Sequence, residues 1–284
     1  MLLAYNDTRS IMLLSSSIQS EDSGTLSANL LGESKQASII RDVDWFPFSF
    51  PGSECFLLAT KQDPLRLWDK DLYVRASYPL VDESAIVGPY SCTFDPNGSR
   101  FICGVDNGYC IFDIEREEKQ EATKFSTKKD SMGIVSCVSV SDTLIVMGTL
   151  KGNILVFDSS MQIIKVLVEE SAVLQIKLED ELIISNTRKS NAISLWCIRT
   201  WTKRIIEIIN QTNQKLVFDV HDDKIYTGDS NGSLIVHDFK NDLRSEKAMG
   251  SIVAAVSCGD SVAISQGSRF EECKLNFLRY TDLI

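Results

Sequence analysis

Histidine is nearly absent from this chain: His221 and His237 are the only two in 284 residues. The commonest general base and metal ligand is therefore missing almost everywhere. Eight cysteines lie at positions 55, 92, 103, 110, 137, 197, 258 and 273, yet none form a Cys-x-x-C pair. That excludes a zinc knuckle and a thioredoxin-type motif. There is no His-Glu-x-x-His, no Walker-A run, no Gly-x-Ser-x-Gly elbow and no dinucleotide fingerprint. No apolar stretch approaches the length that spans a bilayer as a helix. The apolar opening Met1–Tyr5 is cut short by Asn6-Asp7, too soon for the core of a signal peptide. Proline (6) and glycine (15) are too scarce for a collagen-like or linker-dominated chain. Cations are outnumbered, 29 Lys and Arg against 39 Asp and Glu, giving a net charge of −10. Such a balance opposes non-specific coating of nucleic acid, though salt screening leaves room for a local basic patch.

What is present suits a large buried core: 44% of residues are hydrophobic and 24% charged, near the globular average. Most cysteines sit in apolar β-like runs such as Val135-Ser136-Cys137-Val138, the setting of reduced, buried thiols in an intracellular protein. Asn97-Gly98-Ser99 and Asn231-Gly232-Ser233 match a glycosylation sequon but read as Asn-Gly turns.

Self-similarity determines the expected fold. Five segments end in an apolar stretch, an aromatic or similar residue and usually an acid: Leu65–Asp69, Cys110–Asp113, Leu155–Asp158, Ser194–Cys197 and Leu234–Asp238. Their last residues are 44, 45, 39 and 41 positions apart. A four-stranded propeller blade takes about 40–45 residues. A sixth, weaker unit ends near Leu275–Leu278. In the third unit, strands are predicted over Ile134–Val140, Leu144–Gly148, Ile154–Phe157 and Ile163–Leu167, separated by turn residues. Thr202–Asn210 is Ile-rich but β-branched, and the period makes it an outer strand. The prediction is an all-β WD40-type β-propeller with six complete or nearly complete blades over 42–284 plus a partial seventh. Residues 1–41 hold that partial blade, with strands at Met1–Tyr5 and Ile11–Ser16, and a mobile loop over 18–40. An incomplete blade exposes a sheet edge that a partner can fill.

No catalytic constellation emerges, so the chain reads as a non-enzyme without cofactor, metal or small-molecule substrate. His237-Asp238 offers a His–Asp pair, but with no nucleophile nearby it reads as a turn-stabilising contact. His221-Asp222-Asp223 is a polar turn lacking further metal ligands. The acidic runs Glu115–Glu118 and Glu179–Glu181 read as solvated turns or outer strands. The cations carry more information. Lys61-Gln62-Asp63 and Arg188-Lys189 fall in second-to-third-strand turns, and Lys128-Lys129 falls in a loop leading into a new blade. Alternating strand direction places all of these at one end of a propeller, where they can neutralise RNA phosphates.

Several stretches carry a resemblance: Asp63–Asp69, Val74–Tyr78, Tyr90–Ser99, Phe101–Gly104, Lys128-Lys129 followed by Gly133–Cys137, Thr187–Lys189 leading to Trp196, Phe218-Asp219 and Glu272–Leu275. In this order the chain resembles the telomerase Cajal body WD-repeat proteins and their fungal splicing-associated relatives, from about residue 42 onward. The resemblance implies a nuclear adaptor that binds small nuclear RNAs or their particles, in splicing or particle localisation, with telomerase RNA as one client class. Carried over residue by residue, it nominates Lys128, Lys129, Arg188 and Lys189 as RNA contacts, with Arg66 and Arg75 as weaker candidates. The long N-terminal extension of the animal proteins and the Gly-His dipeptide of ordinary WD repeats are absent from this sequence. The competing reading is a protein–protein scaffold whose acidic loops grip basic peptides without direct RNA binding.

Overall fold

The computed structural model describes residues 2–5, 9–18, 26–125, 131–209, 216–248, 252–258, 261–266 and 274–279. The first strands are β1 (Leu2–Tyr5), β2 (Ser10–Ile18) and β3 (Leu26–Lys35). Then β4 (Ile40–Trp45), β5 (Cys55–Thr60), β6 (Leu65–Asp69) and β7 (Val74–Tyr78) hydrogen-bond in that order. After β8 (Leu80–Asp82) and β9 (Ala85–Ile86) come β10 (Ser91–Phe94), β11 (Arg100–Val105), β12 (Gly108–Asp113), β13 (Gln120–Glu121) and β14 (Thr123–Lys124). Strands β10-β11-β12-β14 form one sheet, and β13-β8-β9 form a small accessory sheet.

Three further four-stranded sheets follow in simple order: β15 (Val135–Val140) to β18 (Ile163–Val168), β19 (Val173–Glu179) to β22 (Lys203–Glu207), and β23 (Asp219–His221) to β26 (Leu243–Ala248). Their inner members are β16 (Leu144–Thr149), β17 (Asn153–Asp158), β20 (Leu182–Thr187), β21 (Ala192–Cys197), β24 (Lys224–Gly228) and β25 (Ser233–Asp238). The last sheet contains β27 (Ile252–Cys258), β28 (Ser261–Gln266) and β29 (Lys274–Arg279), and it continues into β3, β2 and β1. The strands predicted for the third repeat appear within about a residue, and the Ile-rich outer strand is β22.

The N-terminus differs from expectation in two ways. The partial blade is realised as strands annexed to the last sheet, where Leu26 of β3 pairs with Phe277 of β29. The span read as a mobile loop contains β3, and β4 already starts at Ile40. The physical reason is visible in the described side chains of β3: Leu30 and Leu31 are both exposed, so those leucines mark no buried apolar face for the sequence to advertise.

The chain divides into two compact units, one of residues 4–13 and 32–178, the other drawn from 1–3, 14–31 and 179–284. The core of the first is aromatic. Tyr78, Phe101 and Phe112 are fully buried, with Phe101 stacked on Phe112 at 5.1 Å and edge-on to Tyr78 at 4.8 Å. The Tyr78 hydroxyl donates to the Ile114 carbonyl at 2.6 Å, satisfying the polar tip of a buried ring. The second unit has a mainly aliphatic core built on Ile184, Ile193, Leu195, Ile225 and Ile235 around Phe218.

Within the first unit, the first strands of neighbouring sheets are sewn together by side chains. Asp42 and Asp44, two residues apart and so on one face of β4, accept the Cys92 and Phe94 amides at 2.9 and 2.8 Å. Ser91 donates to the Val135 carbonyl, and Ser136 to the Val173 carbonyl. The repeat also places a glycine in the fifth position of β11 and β16. A Cβ on Gly104 would lie 2.6 Å from the Val135 carbonyl oxygen, and one on Gly148 would meet Cys137 and Val173 side chains at 2.6–2.7 Å. The residue is small there because the next sheet passes too close for anything larger.

Candidate functional site

The acid that ends each repeat has a structural task. Asp69 accepts the amides of Asp71 and Tyr73 through one oxygen; Asp158 accepts those of Ser160 and Gln162; Asp238 accepts those of Lys240 and Asn241. Asp113 accepts the Glu115 amide in the same way. These are Asx-type turns closing the hairpin to the fourth strand. Burial pushes the Asp69 carboxyl up, but the Tyr73 amide and Arg75 guanidinium outweigh it and hold the group below its ordinary value. In the fourth repeat Cys197 takes this place. The Thr200 hydroxyl beside its sulfur lowers the thiol below its usual range.

The two histidines make no catalytic pair. His237 is buried, and burial depresses its basicity; its Nε2 lies 3.4 Å from Asp242 Oδ1 in poor hydrogen-bonding geometry. Asp238, not His237, makes the turn-stabilising bonds there. His221-Asp222-Asp223 is a turn with left-handed backbone at both aspartates. Glu117, from the first acidic run, accepts the Ser77 amide, and Glu181, from the second, pairs with Arg199. Among the described residues, no group of three or more His, Cys, Asp and Glu is placed to hold a metal ion. Among the described residues, no helix is long and apolar enough to cross a membrane. The described cysteines, at 55, 92, 103, 110, 137 and 197, are unpaired thiols, and four of them are buried.

The nominated cations fall into three groups. Arg66 lies on β6 with Nη2 4.0 Å from Asp63, and Arg75 lies on β7 paired with Asp69. Asp63 itself closes the Lys61–Asp63 turn, accepting the Ser38 and Thr60 hydroxyls at 2.8 Å each. The Ser38 hydrogen bond leads in holding its carboxyl below the ordinary value. Arg188 and Lys189 are both exposed in the β20–β21 turn, where Lys189 adopts a left-handed φ of 54°. Lys128 and Lys129 lie outside the described residues. Arg66 and Arg75 share one unit with each other; Arg188 and Lys189 belong to the other.

Asp44 is a perturbed carboxyl of the seam. Burial leads in pushing its pKa up to about 7, assisted by the Asp42 charge and opposed by the Phe94 amide, the Thr93 hydroxyl and Lys177. It accepts the Phe94 amide and the Thr93 hydroxyl and so ties β4 to β10.

No protein-family model matches the chain, and no curated protein matches it. Solved structures do. A chain from a crystal structure of the mitotic checkpoint complex is similar at a TM-score of 0.65 and 16% identity, covering 83% of this chain and 72% of that one. In all, 1526 solved chains are similar, so the likeness identifies a widely used architecture. The fold is a WD40-type β-propeller.

Proposed function

We propose that this chain is a non-catalytic adaptor that holds small nuclear RNA, or the particles built on it, together with protein partners in the nucleus. The fold supports the adaptor half, because propellers of this type present loops at the ends of rigid sheets and leave binding to them. The exposed Arg188-Lys189 turn carries the RNA half. It falls in one of the stretches that resemble the Cajal body WD-repeat family, and its side chains are open to solvent. Lys128 and Lys129 are the second half of the proposed RNA contact. Arg66 and Arg75 contribute less, since each faces a carboxylate of its own hairpin.

The test is binding of purified chain to small nuclear RNA across a salt series. Replacing Arg188, Lys189, Lys128 and Lys129 by Glu is expected to weaken binding at least tenfold. The log–log salt slope should fall by about 0.7 for each single-strand phosphate that the variant no longer neutralises. Unchanged affinity and slope in that variant would count against direct RNA binding. A protein-only scaffold is the second reading, favoured by the net charge of −10 and by the many cations already paired with carboxylates, such as Lys124 with Asp82 and Lys240 with Asp223. It predicts protein partners that survive nuclease treatment and no ultraviolet crosslink to RNA.

A further inference from the structure

We propose that a cleft between the β10–β11 and β15–β16 turns receives a lysine side chain from a protein partner. The cleft holds about 60 Å³ and lies wholly within the unit of residues 32–178. That is room for roughly four or five waters, comparable with a stem of four methylenes. Its apolar lining is Ile102, Ile111, Ile145 and Met161, and its polar rim includes Asp95, Arg100 and Asp142.

The charges of the rim favour a cationic guest. Arg100 is turned onto Asp95, with Nε 3.3 Å from Oδ2. Asp95 also accepts the Ser99 hydroxyl and the Arg100 amide, so this turn is closed on itself and electrically neutral. Asp142 sits exposed on the neighbouring turn, which Ser141 shapes by accepting the Leu144 amide at 3.1 Å. Asp142 has no hydrogen bond or ion pair among the described residues, which leaves the rim with one uncompensated negative charge. A lysine meets both demands: its stem lies along the isoleucines while its ammonium reaches Asp142. A phosphate would meet Asp142 with like charge and find Arg100 already occupied. The cleft is also at the strand ends opposite the second-to-third-strand turns of its own sheets, so it does not rest on the RNA reading.

Methyl-resolved NMR of the full chain, titrated with Nα-acetyl-lysine methylamide and with its norleucine analogue, tests this. Saturable shifts are expected at the methyls of Ile102, Ile111, Ile145 and Met161 with the lysine probe, and about threefold weaker binding with norleucine, as one partly exposed ion pair allows. Asp142→Asn should reduce the lysine probe to the norleucine level, and Ser159→Trp, which puts an indole on another residue of the lining, should abolish both responses. The proposal is overturned if the lysine probe gives no saturable shift at those methyls, if norleucine binds equally well, or if Asp142→Asn changes nothing. RNA binding, present or absent, leaves each of these results readable.

Discussion

On the first strands of the sheets in residues 32–178, Asp42, Asp44, Ser91 and Ser136 direct their polar atoms to the backbone of the next first strand. The fourth strands of the same sheets behave otherwise. Strand β18 turns Ile163, Ile164, Val166 and Val168 to solvent, with Lys165 its single charge, and β7 exposes Val74 and Arg75. In the other unit, β22 and β26 carry three charges each, the usual protection of a sheet edge. Neighbouring sheets of residues 32–178 are therefore tied at their first strands by a few part-buried or buried polar contacts. The fourth strands are free to vary in composition because one side of their ladder faces no other strand.

Breaking the close approach at the seam should have the largest effect. Gly104→Val forces a side chain against the Val135 carbonyl and is expected to cost about 3 kcal/mol in chemical denaturation, the upper part of the overpacking range. Asp42→Ala removes the acceptor of a buried amide and should cost about 1–3 kcal/mol. The seam should also respond to pH. Because the folded chain raises the Asp44 pKa from 3.8 to about 7, its protonated form favours folding. That contribution is complete below the unfolded value and disappears as pH rises through the folded one. Denaturation midpoints measured from pH 4 to 8 should carry this fall, and Asp44→Asn should flatten it. The smallest change in stability is expected on the outer side: Val166→Lys should stay within about 0.5 kcal/mol. Light scattering at high concentration should show that variant aggregating less than the parent, since it interrupts a β-prone apolar edge. A loss of stability in Val166→Lys matching that of Asp42→Ala would erase the contrast between inner and outer strands.

Much of the fold was legible because the repeat writes its own punctuation. The acids at 69, 113, 158 and 238 mark the period and also cap the turns, so the pattern that reveals the blade is the pattern that closes its last hairpin. Strand β3 was illegible because its leucines at 30 and 31 are both exposed and one of its two partner strands, β29, lies far away in sequence. The same limit applies to the sites. Sequence shows Arg66 and Arg75 as cations but not the carboxylates that face them across their hairpins. It shows Ser141-Asp142 as an ordinary turn, whereas part of the apolar wall beside Asp142, Ile102 and Ile111, is supplied by β11 and β12 of the preceding repeat. Adjacency between repeats is tertiary information, and periodicity conveys only that such adjacency exists.

The pairing of Leu26 with Phe277 has a consequence for the order of assembly. On a ribosome, the capped hairpins from residue 40 onward can close as each leaves the exit tunnel, since their partners are adjacent in the chain. Strand β3 can pair early with β2 along one edge, but its other edge must wait for β29, so that edge stays unmatched through most of synthesis. Shielding of that waiting strand, by a chaperone or a neighbouring segment, is the step on which the yield of native chain would depend.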